Sequence, residues 1–250
     1  MTDAAMTIGM VGLGRMGANM TQRLIGRGQR VIAYDSNTDT VAAVAAHGAE
    51  GSASLEDLVG RLDRPRSVWV MVPSGDATND TIDALGHLLS PGDTVIDGGN
   101  SHYRNAQRWS TELRERGIDL VDAGVSGGVW GLEHGYCLMV GGRPDAVGRL
   151  EPILKALAPE DGFAYVGPSG AGHYAKMIHN GVEYGLLQAY AEGFALLDAA
   201  RGCSCRSGHA RRARTAWRRR EPAGRRSCPW RRGRLGRRGW VATRHRRAVR

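Results

Sequence analysis

The chain has 250 residues, 42% of them hydrophobic and 24% charged, enough for one large domain or one and a half typical ones around a sizeable core. No apolar run approaches the roughly 20 residues that cross a bilayer, and the N-terminus lacks the charged region and cleavable apolar segment of a secretory signal. The expectation is a cytoplasmic protein. The net charge of +9 is the sum of two unlike parts. Residues 201–250 hold 19 arginines, no lysine and a single acid, Glu221. The remaining 15 basic and 24 acidic residues leave residues 1–200 at −9. Three of the four cysteines also lie in the basic segment, without the paired spacing of a zinc site, and no metal centre is expected.

In chain order, MTIGMV at 6–11 reads as a short buried strand. Gly12-Leu13-Gly14-Arg15-Met16-Gly17 follows at once and opens a helical pattern that runs to about Arg27. RVIAY at 30–34 reads as a second strand and ends at Asp35. Strand, glycine turn, helix, strand and acid form the opening unit of a dinucleotide-binding fold. Helical stretches lie near 37–48, 54–62, 76–89 and 103–116, between strands at 68–72, 94–97 and 120–122. A strand at 137–140, a helix near 145–157 and a strand at 165–166 follow. This alternation predicts an α/β, Rossmann-type doubly wound sheet over residues 1–168, mostly parallel and covered on both faces.

Within the glycine turn, Gly12 permits the tight turn, Gly14 lets the backbone approach a pyrophosphate, and Gly17 allows close helix–strand packing. The helix N-terminus offers unpaired N–H groups to phosphate. Asp35 would accept hydrogen bonds from ribose hydroxyls and repel a 2′-phosphate. Ser36 and Asn37 supply no cation to bind one, so NAD is favoured over NADP. Three more turns follow strands: Val72-Pro73-Ser74-Gly75, Asp97-Gly98-Gly99-Asn100-Ser101 and Val125-Ser126-Gly127-Gly128. Taken alone each is an ordinary turn. Their common position beyond strand ends is where ligands sit in open α/β sheets. That places Val72, Pro73 and Ser74 along a cofactor cleft, Asn100 near both nicotinamide and substrate, and Ser126, Gly127 and Gly128 at an anion.

Residues 169–200 form one long helical pattern without proline, expected to begin a second, helical domain. Within it, Lys176, His179, Asn180 and Glu183 stand at i, i+3, i+4 and i+7 on one face, with Tyr184 beside them. Lys176 is one of only two lysines in the chain, and lysine, unlike arginine, loses its proton readily when buried. Taken alone, the face is either a solvated stripe with an ion pair or a site for a polyhydroxylated anion with a built-in base and acid. After Ala200 the periodic apolar spacing ends. Arginine, glycine, cysteine and tryptophan take over, and residues 201–250 are expected to form a disordered basic tail.

The segments GLGRMG, DGGNS, VSGG and GHYAKMIHNGVEYG, in that order, closely resemble the 6-phosphogluconate dehydrogenase family. GVWGLEHGYCLMVGG and Asp35 are similar to its shorter, NAD-preferring branch. The resemblance covers residues 6 to about 200. The neighbouring 3-hydroxyisobutyrate dehydrogenase group shares the scaffold and the lysine, but usually has an Asn-Asn pair after it. The resemblance implies oxidative decarboxylation of 6-phosphogluconate to ribulose 5-phosphate, a step of the pentose phosphate pathway and of gluconate use, without a metal.

In that scheme Lys176 accepts the C3 hydroxyl proton and Glu183 protonates C1 of the enediol. Asn100, Ser126, Gly127, Gly128, His179 and Asn180 hold the carboxylate and hydroxyls, and Tyr184 the phosphate end. Gly12, Leu13, Gly14, Arg15, Met16, Gly17, Asp35, Val72, Pro73, Ser74 and Asn100 hold NAD.

The family continues into an all-helical domain that supplies a homodimer interface. No counterpart is evident after Ala200, where the composition resembles a GC-rich gene read out of frame, so a frameshift near residue 200 is expected. The alternatives are an inactive NAD-binding remnant, a related 3-hydroxyacid dehydrogenase, and a nucleic-acid binder acting through its arginine-rich arm. The last is disfavoured because the arm has no fold motif and no lysine.

Overall fold

Alternate residues of each central strand feed opposite cores, as the two-residue period of a strand requires. In β1 (Thr7–Val11), Ile8 and Met10 enter one apolar cluster and Val11 the other. In β2 (Arg30–Tyr34), Val31 and Ala33 share the first cluster and Ile32 enters the second. In β4 (Ser67–Val70), Trp69 is fully buried on the first face, between Val68 and Val70 on the second. Strands buried on both faces read as continuous apolar runs, the signature of a parallel sheet covered by helices.

The protein is described here by a computed structural model, which describes residues 5–199. The expectations for residues 201–250 lie outside the described residues. Eight strands form one sheet in the order β3-β2-β1-β4-β5-β6-β7-β8. The remaining strands are β3 (Glu50–Gly51), β5 (Thr94–Asp97), β6 (Asp119–Ser126), β7 (Cys137–Gly141) and β8 (Phe163–Gly167). All neighbouring pairs run parallel except β6 and β7. Helices α1 (Arg15–Gly26), α2 (Thr38–Ala45), α7 (Pro144–Arg149) and α8 (Glu151–Leu157) pack into the first cluster, and α3 (Leu55–Gly60), α4 (Asp76–Leu88) and α5 (Tyr103–Arg114) into the second. A 3-10 turn at Gly128–Trp130 and a short α6 (Gly131–His134) cross between β6 and β7. The strand order reverses beside β1, and that crevice is where an open α/β sheet takes its ligand.

The predicted elements are present, joined by β3, the 3-10 turn and α6, which were not predicted, and two of them differ most in extent. The helix expected near 145–157 is two helices. Pro152, in the first turn of α8, has no N–H to continue the ladder, and its ring would meet the carbonyl four residues back. β6 extends to Ser126, well past Asp122, because β7 pairs with it from Asp122 to Ser126.

The long helix α9 (Ala171–Ala199) packs on β6, β7, β8 and α5 at its start only. Gly172 and His173 are buried, and residues 181–199 are exposed throughout. Glycines make the close approach possible. A β-carbon on Gly124 of β6 would stand 2.6 Å from the Lys176 Cβ, and one on Gly141 of β7 would stand 2.8 Å from the Gly172 nitrogen.

Candidate functional site

The glycine turn after β1 is shaped at each of its three glycines. Gly12 has φ of +91°, and a β-carbon there would press on the Met71 carbonyl at 2.7 Å. Gly17 packs so tightly that a β-carbon would collide with the Gly12 carbonyl oxygen. Gly14 is the opposite case, with nothing within 4 Å of where its β-carbon would be. Its open face lies at the N-terminus of α1, which has no side-chain cap and no acid in its first turn. A cradle open at the middle glycine, backed by unpaired helix N–H groups, suits a pyrophosphate.

Asp35 ties this turn to the end of β2. Its Oδ2 accepts the Leu13 N–H at 2.6 Å and its Oδ1 accepts the Asn37 N–H at 2.8 Å. Oδ1 also accepts the Ser36 hydroxyl at 3.5 Å, and Oδ2 keeps a second lone-pair site for a ribose hydroxyl.

A cleft of about 970 Å³ runs from this turn across the strand ends, at the upper end of the size range of small-molecule sites, about 300–1,000 Å³. Of the residues predicted from sequence, it brings together Gly12, Gly14, Arg15, Met16, Asp35, Val72, Pro73, Ser74, Asn100, Lys176 and Asn180. Leu13 and Gly17 are buried instead; Leu13 contributes its N–H to Asp35 and its side chain to the core. Tyr34, Asp80 and Thr81 also line the cleft and carried no sequence signal.

Lys176 stands over Gly124 and lines the cleft together with Asn100, Val125 and Asn180. Burial holds its amine below the usual lysine range, while the charge of Glu183 opposes that shift. His179 sits between them, with Nδ1 3.4 Å from the Asn180 Oδ1 and 3.6 Å from the Glu183 carboxylate. Glu183 and Tyr184 lie further along α9 and outside the cleft, with the Tyr184 residue 69% exposed.

Ser126, Gly127 and Gly128 also lie outside it. Ser126 closes the β6–β7 pairing opposite Cys137, and Gly127 and Gly128 carry positive φ of +159° and +52°. The buried Tyr136 ring fills the space under Gly127 and Gly131. Arg23 of α1 reaches under the same crossing, donating from Nε to the Leu157 carbonyl at 2.7 Å and from Nη1 to the Leu132 carbonyl at 3.1 Å.

Beneath Lys176 lies a buried polar cluster that motif reading missed. His173 Nε2 and Asp97 Oδ2 are 2.9 Å apart, with side chains 2% and 0% exposed. The other Asp97 oxygen accepts the Gly99 N–H at 3.0 Å. Asp122, on β6, accepts the Gly170 N–H at 2.6 Å and the His173 N–H at 2.8 Å. Burial pulls the His173 imidazole down, but the hydrogen bond to Asp97 and the charges of Asp97 and Asp122 outweigh it and leave the imidazole raised. Burial pushes the Asp122 carboxyl up, against the charge of His173 and the two backbone donors. The available signal was an acid ending or interrupting an apolar strand, at Asp97 and at Asp122.

Residues 7–167 match the family model described as the NAD binding domain of 6-phosphogluconate dehydrogenase. The chain belongs to the 6-phosphogluconate dehydrogenase family. Residues 172–219 match the C-terminal domain of the same family, so the similarity runs past Ala200, where the sequence motifs alone placed its end.

Among curated relatives, the NAD(+)-dependent, decarboxylating 6-phosphogluconate dehydrogenase of Haloferax volcanii is 46% identical over 197 residues, covering 78% of this chain and 65% of that protein. The decarboxylating enzyme of Lactococcus lactis is 40% identical over 211 residues, covering 80% of this chain and 45% of the relative. The chain thus spans less than two thirds of the length of these relatives. Among solved structures, Plasmodium falciparum 6-phosphogluconate dehydrogenase superposes with a TM-score of 0.71 at 30% identity, covering 76% of this chain and 43% of that one. Mycobacterium tuberculosis 3-hydroxyisobutyrate dehydrogenase superposes with a TM-score of 0.74 at 30% identity, covering 81% and 68%.

Proposed function

We propose that the chain carries the nicotinamide-binding half of a 6-phosphogluconate dehydrogenase, that its cofactor is NAD, and that Lys176 is the base of the reaction. The observation that carries this reading is Lys176 itself: half-buried, held below the usual lysine range by that burial, and lining one cleft with Asn100 and the glycine turn. A general base works best with a pKa near the working pH, and burial is how a lysine gets there.

NAD, when bound, supplies the hydride acceptor. The chain's own residues do the rest. Gly14 and the α1 N-terminus hold the pyrophosphate, and Asp35 the ribose hydroxyls. Asp35 repels a 2′-phosphate, and Ser36 and Asn37 offer it no cation, which supports NAD over NADP. Lys176 takes the C3 hydroxyl proton of 6-phosphogluconate as the C3 hydride leaves and C3 becomes a ketone. The protonated amine then donates to that ketone oxygen while the C1–C2 bond breaks and CO₂ departs. Glu183 delivers a proton to the enediol carbon that was C2 of the substrate and becomes C1 of the product, ribulose 5-phosphate. Asn100 and Asn180 orient the substrate with Ser126, Gly127, Gly128 and His179, and Tyr184 meets the phosphate end.

In this reading residues 1–168 form the NAD-binding domain of a cytoplasmic protein, and 169–200 the first helix of the helical domain through which the family forms homodimers or higher homo-oligomers.

A second reading is an NAD-binding chain without turnover. The exposure of Glu183 and Tyr184 favours it, since an acid in open water donates no positioned proton. The two are separated by calorimetry with NAD, followed by NADH formation with 6-phosphogluconate for the wild type and Lys176→Met. The proposal expects NAD binding in both and turnover only in the wild type. Binding without wild-type turnover supports the second reading, and turnover that survives Lys176→Met removes Lys176 as the base.

A further inference from the structure

Three observations converge on the floor of the cleft. First, α9 is fastened to β6 through its backbone: Asp122 accepts the Gly170 and His173 N–H groups. That carboxylate complements the helix N-terminus and needs nothing from the His173 side chain. Second, the His173 imidazole reaches a different strand, where it meets Asp97 at 2.9 Å. Third, Asp97 uses its other oxygen to hold Gly99, next to Asn100 in the turn that lines the cleft. The side chain of His173 therefore adds one link that the backbone lacks. It joins the helix carrying Lys176, one turn further on, to the turn carrying Asn100.

We infer that His173 is a positioning residue: through Asp97 it latches the first turns of α9 onto the 98–101 turn, and so sets the depth at which the Lys176 amine sits beside Asn100. The inference rests on the reading of Lys176 as the proton acceptor. The hydrogen bond to Asp97 and the charges of Asp97 and Asp122 raise the imidazole against its burial, which favours the charged form of the latch. Without it the Asp122 contacts still seat the helix start, but Lys176 is free to tilt toward water. Small displacements of a reacting group are expensive in rate, about 10²-fold for about 1 Å.

The chain's two lysines, Lys155 and Lys176, make the test independent of turnover. The full chain is labelled with ¹³C-lysine, and the two side-chain signals are titrated by NMR. Lys155, on the outer face of α8 and paired with Glu151 at 2.9 Å, is the internal reference. The variants are His173→Leu, the double variant His173→Leu with Asp97→Asn, which leaves no lone buried charge if the single variant fails to fold, and His173→Gln, which keeps an N–H donor for Asp97.

The wild-type Lys176 signal is expected to titrate below that of Lys155. In the Leu variants it moves back toward Lys155 while calorimetry still finds NAD bound, and His173→Gln stays nearer the wild type. Where 6-phosphogluconate turns over, kcat falls about 10- to 100-fold with KM for NAD retained. A Lys176 titration unchanged in folded Leu variants overturns the inference and leaves His173 as core packing. A shifted titration without wild-type turnover supports the latch and counts against the proposed activity alone.

Discussion

The glycine turn after β1 and the polar face of α9 are built in opposite ways. The turn after β1 offers mainly backbone: an open Gly14, unpaired N–H groups of α1, and Asp35 already hydrogen-bonded to the chain that frames it. Short local stretches between adjacent parallel strands create this geometry, and the sheet holds it. The face of α9 offers side chains on one helix, and only its first turns touch the sheet. Lys176 and Asn180 line the cleft, whereas Glu183 and Tyr184 stand in solvent. A site made of strand ends is complete once its sheet is complete. A site strung along a helix is only as well placed as the helix, which is why the buried contacts of Asp97, Asp122 and His173 sit beneath Lys176 and nowhere further along.

The largest expected effect bears on the anchored half. Lys176→Met should lower NADH formation by about 10²–10⁴-fold, the usual contribution of a positioned base, with NAD affinity preserved. The fold should survive. Burial disfavours the charged amine, so the charged lysine subtracts stability in full below its lowered native midpoint, and that penalty fades as pH rises from there through the ordinary lysine value, the window in which the unfolded chain binds more protons than the native one. A neutral methionine removes that penalty. A melting temperature that drops sharply in Lys176→Met would show the lysine to be structural.

Next come the glycines, where the turn itself can be broken in two distinct ways. Gly14→Ala puts a methyl into open space in a backbone conformation any residue adopts, φ −59°. Stability should hold while NAD affinity falls about 10- to 100-fold, or about 1.4–2.8 kcal/mol. Gly17→Ala drives a methyl into the Gly12 carbonyl oxygen and should lower stability by about 1–3 kcal/mol, as overpacking does. Calorimetry and thermal unfolding read the two effects separately. Equal losses of stability in both would mean that Gly14 is packed after all.

A smaller loss is expected at Asp35. Asp35→Asn keeps one acceptor for the Leu13 or Asn37 N–H but loses the charge that favours ribose hydroxyls. NAD affinity should fall about tenfold, or about 1.4 kcal/mol, close to the lower bound of about 1.5 kcal/mol for hydrogen bonds to charged groups. The proposed preference for NAD over NADP, measured as a ratio of affinities, should narrow because the repulsion of a 2′-phosphate is gone. An unchanged ratio would move the discrimination elsewhere in the cleft.

The same contrast explains what was legible in the sequence. The sheet and its turns were, because Gly12, Gly14 and Gly17 act locally and a buried parallel strand shows as an apolar run. The face carrying Lys176 and Asn180 was legible from helical spacing alone. The position of that face was not. Asp97, Asp122 and His173 are 76 and 51 residues apart along the two pairs that matter, and only the closing of β5, β6 and α9 brings them together. The division at Pro152 was visible in principle, since proline tolerates a helix start and not its interior. The crossing under Gly127 and Gly131, filled by Tyr136 and held by Arg23, left no periodic trace because each contact is a single long-range event.

The smallest expected shift, in the Lys176 midpoint and apart from the turnover that the proposed proton delivery by Glu183 would lose, joins the two halves of α9. Glu183 is two turns from Lys176, and its side chain is 53% exposed, so solvent screens it heavily. Its negative charge nevertheless favours the charged lysine and works against burial. Glu183→Gln should therefore lower the Lys176 midpoint slightly further, moving the alkaline-rising limb of the pH–rate profile to lower pH. The ¹³C-lysine titration reads this directly, and Lys155 should not move. If the Lys176 midpoint rises instead, Glu183 contributes through packing rather than charge. If it stays put, the exposed half of the helix does not reach the anchored half electrostatically, and any role for Glu183 in delivering a proton then requires that carboxylate to be brought out of open water.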